Sequence, residues 1–233
     1  MLPTLALALL LPAAPVPKET EKVQIEKLYG KIVDPKGDCK FKLDGDKLLV
    51  TLPANRTLNL DRKWDNGPKL THGVLKGDFM IHLRVTAPFP ENAGPGPDVE
   101  WAYTGGGLEF RWADDKRWSW IGLGRHYDRR SKKVETAVTS GFPGTGVDRL
   151  NWGLGTSDPK VVSDAPLLRL TRRGGTLAVE ASDEGKEWTQ MASCDPMPTG
   201  DVTVSLFAMH SSDKGGMVTF SEFVVTPLKE EKK

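Results

Sequence analysis

The chain holds only two cysteines, Cys39 and Cys194, in 233 residues. Two thiols cannot build a zinc site alone. No Cys-x-x-Cys or His-x-x-x-His spacing supplies further ligands, so no transition-metal centre is expected. Charge of one sign is scarce as well: the formal net charge is +1, with acids and bases interspersed. That excludes a broad electrostatic field for nucleic acid. The densest basic cluster, Arg125, Arg129, Arg130, Lys132 and Lys133, reads as a solvated turn. Long apolar runs are missing too. The longest, Leu5 to Leu11, is of signal-peptide length and too short to span a bilayer. No segment carries a sustained helical period. No Gly-x-Ser-x-Gly elbow accompanies His82, His126 or His210, so nucleophilic hydrolase chemistry has no visible machinery.

What the chain does have is period-two alternation between glycine turns. In Leu167 to Met191, Leu168 and Leu170 alternate with Arg169 and Thr171, and Leu177, Val179 and Ala181 alternate with Ala178, Glu180 and Ser182. Gly174-Gly175 and Asp183-Glu184-Gly185 separate the runs. The pattern predicts a half-buried antiparallel meander. Phe41 to Leu43, Asp44-Gly45-Asp46 and Leu48 to Leu52 predict a hairpin. Gly77 to Thr86, Leu108 to Trp112, Trp118 to Leu123, Val134 to Thr139, Val202 to Ala208 and Val218 to Val225 predict further strands. Asn55 to Leu75 reads as irregular, and Phe142 to Pro166 as a long connection. Many short strands and no long helix predict an all-β, two-sheet antiparallel sandwich or a closed barrel.

The organisation read from the chain is a signal peptide at 1–17, a charged linker at 18–27, one sandwich at 28–228 and a charged tail at 229–233. The leader predicts export to a secreted or periplasmic location, with no membrane segment left after its removal. In an oxidising compartment Cys39 and Cys194 could pair; the alternative is two buried free thiols.

Four segments carry a resemblance: GDCKFKLDGDKLLVTLP (Gly37–Pro53), LKGDFMIHLRV (Leu75–Val85), GGLEFRWADDKRWSWIGL (Gly106–Leu123) and LRLTRRGGTLAVEASDEGKEWT (Leu168–Thr189). They resemble the concanavalin A-like lectin/glucanase jelly rolls, and among them the uncharacterised family that includes the regulation-of-enolase protein. The resemblance spans about Tyr29 to Leu228 and implies a jelly-roll sandwich. It is nearly silent on function, since such sandwiches host lectins, hydrolases and scaffolds. Lectins of the superfamily hold Ca²⁺ through loop carboxylates, for which Asp34, Asp38, Asp44 and Asp46 are the candidates. Turn acids of this kind ordinarily only solvate a turn, and no cofactor is expected.

Strand parity then selects a candidate face. With Phe79, Ile81, Leu83 and Val85 inward, His82 and Arg84 point outward. With Leu108 and Phe110 inward, Glu109 and Arg111 point outward, and with Ile121 and Leu123 inward so do Trp118 and Trp120. If these strands are neighbours, His82, Arg84, Glu109, Arg111, Trp118 and Trp120 share one concave face, with Tyr103 adding a rim contact. Indoles pack on the C–H face of a sugar ring while Glu and Arg meet its hydroxyls. This points to a non-catalytic lectin-like module whose partner is a carbohydrate or polysaccharide. The competing readings are ordinary cross-strand ion pairs with tryptophans in the core, giving a scaffold without a small ligand, and a jelly-roll glycoside hydrolase. Against the hydrolase, no acidic i, i+2 pair lies within a strand, and the same-face neighbour of Glu109 is Arg111, not a second acid.

Overall fold

In the computed structural model, residues 19–59, 66–97, 99–112, 118–128, 133–141, 163–194 and 200–229 are described, with backbone alone at 118, 119, 128, 139–141, 192 and 194. The leader and the Phe142 to Val162 part of the long connection lie outside them.

The chain opens with a helix, α1 (Glu21–Tyr29), where sequence reading expected a linker. Thr20 caps it, its hydroxyl accepting from Val23 N, and Glu21 sits in the first turn, where a carboxylate complements the helix dipole. Ile25 and Tyr29, four residues apart, fall on one helix face and are buried in the main core. Burying Ile25 alone is worth about 2 kcal/mol. The charged residues that suggested a linker are the solvent face of an amphipathic helix of two and a half turns.

Fourteen strands follow: β1 (Lys31–Val33), β2 (Lys40–Asp44), β3 (Lys47–Leu52), β4 (Arg56–Leu58), β5 (Lys69–Leu75), β6 (Phe79–Thr86), β7 (Tyr103–Trp112), β8 (Trp118–Asp128), β9 (Lys133–Gly141), β10 (Leu167–Arg173), β11 (Thr176–Ser182), β12 (Thr189–Cys194), β13 (Val202–Ser212) and β14 (Gly216–Pro227). They form two antiparallel seven-stranded sheets. Sheet A has the order β1-β5-β13-β7-β8-β9, with β4 also on β13; sheet B has the order β12-β11-β10-β6-β14-β3-β2. This is a two-sheet sandwich, one of the two architectures that the alternation allowed, and the jelly roll that the resemblance implied. The expected hairpins and meander are present as β2-β3, β7-β8 and β10-β11-β12. The Asn55 to Leu75 stretch is not irregular throughout: it contributes β4 and β5.

The core lies between the sheets. Sheet B contributes Leu48, Val50, Phe79, Ile81, Leu83, Leu168, Leu170, Val179 and Phe220; sheet A contributes Leu70, Leu108, Phe110, Ile121, Leu123, Val204 and Leu206. Phe79 and Phe110 stack across the gap at 6.3 Å and 10°. Strand parity was therefore read correctly along β6, β7 and β8.

The cysteine pairing is not formed. Cys39 is a free thiol at the start of edge strand β2, and Cys194 ends the opposite edge strand, β12, of the same sheet. Six strand spacings of about 4.8 Å separate them, far beyond the reach of a disulfide.

Candidate functional site

The decisive geometry is which sheet each strand joins. β6 pairs with β10 and β14 in sheet B, whereas β7 and β8 pair with each other in sheet A. His82 and Arg84 therefore do not share a face with Glu109, Arg111, Trp118 and Trp120. The two groups lie on opposite outer surfaces of the sandwich. Alternation within a strand reports inward or outward, and outward means a different surface on each sheet.

On the outer face of sheet A, Glu109 is opposite Trp120 on β8 and opposite Ser205 on β13. Its carboxylate shows 1% of its surface to solvent, yet it points away from the main core. It is held by two cations. Lys69 Nζ stands 2.9 Å from Oε2, and Arg111 donates to Oε1 from Nε at 2.9 Å and from Nη2 at 2.7 Å. The Thr71 and Ser205 hydroxyls, 3.3 Å apart, continue the polar stripe. A buried carboxylate needs compensation of this kind. Lys69 was missed from sequence because it lies in the stretch read as irregular; the alternation Lys69, Thr71 beside Leu70 is its only local signal.

Next to this stripe lies a second, smaller apolar cluster: Tyr103, Trp120, Phe207 and Met209, with Val99 packed on it. Trp120 meets Phe207 edge to face at 6.3 Å and 86°. The cluster rests on bare backbone, because Gly105 faces Gly124 and Gly107 faces Gly122 across β7 and β8. A side chain at Gly107 would meet Ile121 O at 2.0 Å and Gly122 Cα at 2.5 Å. Trp120 thus points away from the interior, as parity predicted, but is only 7% exposed. Tyr103 is a strand residue rather than a loop rim, and burial pushes its phenol pKa up. Trp118 stands opposite Arg111 in the register; its side chain lies outside the described residues.

Among the described residues, Asp201 lies just beyond the Val202–Trp112 pair, about four residue steps from the Glu109 row, roughly 13 Å along the strands. Glu135 shares the face, but it belongs to the row Tyr103–His126–Glu135. Six residue steps along the strands separate the rows, roughly 20 Å. Glycosidase carboxylates stand about 5–9.5 Å apart.

On the outer face of sheet B, His82 and Arg84 have other work. Arg84 donates to Glu222 (Nε to Oε1, 2.6 Å), to Ala165 O (2.6 Å) and to Asp183 O (3.3 Å). Glu222 has φ 53° and sits where the β14 register slips between Ser221 and Val224. Arg84 therefore fastens a bulge and two chain turns together. His82 stacks on Trp188 at 5.6 Å and 22°, and Arg169 lies 3.9 Å from the same indole while gripping Glu180 with two 2.7 Å hydrogen bonds. Burial, then the Arg169 charge, lowers the His82 pKa.

The loop acids divide. Asp34 and Asp38 gather with Cys39, their ligand atoms within 4.8 Å of one another, but Asp34 accepts from Cys39 N at 2.9 Å and Asp38 from Arg56 Nε at 2.8 Å. Asp34 thus closes its own turn, and Asp38 forms an ion pair that ties the turn to the start of β4. Burial and the two carboxylates push the Cys39 pKa up to about 12. Asp44 and Asp46 flank the Gly45 turn of the first hairpin.

A family model matches residues 56–228, described as "Protein of unknown function (DUF1349)". The chain belongs to that family. A functionally unknown protein from Saccharomyces cerevisiae matches at 19% identity and TM-score 0.51, covering 85% of this chain and 96% of its own. That likeness shows a shared fold alone. A legume lectin-like domain from Entamoeba histolytica matches at 8% identity and TM-score 0.44, covering 85% of this chain and 90% of its own. An alginate lyase from Klebsiella pneumoniae matches at 10% identity and TM-score 0.42, covering 81% and 84%. No curated protein matches the chain.

Proposed function

We propose that this family member is an exported, non-catalytic carbohydrate-binding module whose ligand lies on the outer face of sheet A. One observation carries the reading. Lys69, Glu109 and Arg111 are drawn together beside Trp120 on a surface that faces away from the hydrophobic core. Buried charge on an outer sheet face contributes little to stability for its desolvation cost. A hydroxyl-rich ligand would meet the part-exposed Arg111 guanidinium, which the buried Glu109 carboxylate holds in place. The Leu5 to Leu11 run supports a secreted or periplasmic location.

A second reading, a scaffold without a small ligand, is favoured by one specific feature: the burial of Tyr103, Trp120, Phe207 and Met209 in a cluster of their own. Affinity electrophoresis of the mature chain through glucan and uronic-acid polymers separates the two. Retardation by at least one polymer, reduced in Arg111→Ala with an unchanged circular dichroism spectrum, supports the module. Free migration through every polymer supports the scaffold.

A further inference from the structure

Trp120 is a poor candidate for the sugar-stacking indole, because it is enclosed by its own neighbours. Another tryptophan has the opposite surroundings. Trp101 is 49% exposed, the one aromatic among the large exposed apolar side chains of the described residues. Exposed single Leu or Val residues need no explanation, but a half-exposed indole leaves far more apolar surface in water.

Its flanks are packed on both sides. Two residues before it, Val99 packs on the Tyr103–Trp120–Phe207–Met209 cluster. Directly after it, Ala102 is buried, its carbonyl accepting from Tyr127 N at 3.1 Å, and Tyr103 enters β7. The indole therefore sits on a short span anchored at both ends. That reduces the entropy lost when a ligand lands on it. Polar partners stand at the same end of the sheet: His126 is the register partner of Tyr103 and lies 3.4 Å from Glu135, which is exposed.

The charged stripe is at the other end. Tyr103 and Arg111 both face outward on β7, eight residue steps apart, roughly 26 Å. A monosaccharide cannot touch both ends. We propose that Trp101 is the aromatic contact of the ligand on sheet A, and that this ligand is an extended polysaccharide chain reaching from Trp101 and His126 to Arg111, the part-exposed member of the charged stripe. The inference rests on the carbohydrate-binding reading and adds to it the position of the platform and the length of the ligand.

The test is isothermal titration of the full mature chain and of Trp101→Ala and Trp101→Phe. The probes are disaccharides and long oligomers of whichever polymer retards the wild type. Affinity should rise with oligomer length in the wild type. Trp101→Ala should lose on the order of tenfold on long oligomers, with little change on disaccharides, and Trp101→Phe should recover most of the loss. Melting temperature should stay within a few degrees, since the side chain is exposed. Equal affinity of Trp101→Ala and wild type for long oligomers overturns the inference while leaving the binding module standing. Affinity that does not grow with length overturns the extended ligand. A wild type retarded by no polymer overturns both.

Discussion

Lys69 Nζ stands 2.9 Å from Glu109 Oε2 on the side of sheet A that faces away from the hydrophobic interior. The pair joins β5 to β7 across β13, so it spans three neighbouring strands. Removing the acid strands two cations. Glu109→Gln should cost about 3 kcal/mol, whereas Lys69→Met should cost about 1–2 kcal/mol because Arg111 stays on the carboxylate. Urea midpoints of the two single variants and the double variant would check this. Equal costs would contradict the shared-carboxylate geometry.

The glycine floor gives a sharp contrast. At Gly107 a Cβ would meet the Ile121 carbonyl at 2.0 Å, whereas at Gly124 its nearest neighbour is the Met209 methyl at 3.4 Å. Gly107→Ala should lose more than about 3 kcal/mol or fail to fold, because backbone cannot yield as a side chain can. Gly124→Ala should fold with a near-normal melting temperature.

Arg84 should behave as a fastener and not as a ligand contact. Arg84→Ala should cost about 2 kcal/mol through the lost charged hydrogen bonds. Hydrogen exchange should accelerate at 163–165, 183 and 221–224, while polysaccharide retention stays unchanged. Lost retention with normal exchange would return Arg84 to the site.

Three histidines share one sign of pH dependence. Burial lowers the pKa of His72, His82 and His210 in the folded chain; at His82 the Arg169 charge adds to it, and at His210 a backbone hydrogen bond opposes it. The unfolded chain therefore takes up protons first as pH falls through about 6.5. The stability these neutral rings contribute is complete above that value and declines below it. Melting temperature should drop between pH 7 and pH 5.5, and His82→Gln should flatten part of the slope.

Cys39 should resist modification. With its pKa near 12, almost no thiolate exists at neutral pH, and the thiolate is the reacting species. In a Cys194→Ser background, Ellman's reagent should label the native chain slowly and the urea-unfolded chain at once.

Much of the fold was legible in the chain because alternation and glycine turns are local signals. Phe79, Ile81, Leu83 and Val85 announced a strand with one buried side, and Gly45 announced its hairpin. The candidate site was legible only in part. Glu109, Arg111 and Trp120 were placed together because β7 and β8 form a hairpin, so their pairing is also local. His82 and Arg84 were misplaced because β6 and β7, consecutive in the chain, belong to different sheets. Nothing in either strand encodes that choice; it follows from which partners complete each layer. Lys69 and the helix at Glu21–Tyr29 were hidden by charge, since charged residues on one side of a short element look like linker. Trp101 drew no notice because exposure is a tertiary property.

The family match begins at Arg56, yet α1 and strands β1 to β3, which precede it, are part of the fold. β3 lies between β14 and β2, and β1 is the outer neighbour of β5. A chain trimmed to the matched region would leave β14 with an unprotected hydrogen-bonding edge and would uncover the apolar ground beneath Ile25 and Tyr29. Open strand borders of that kind recruit other chains. Expression trials that follow the family limits should give aggregates, and those that start near residue 19 should give monodisperse protein.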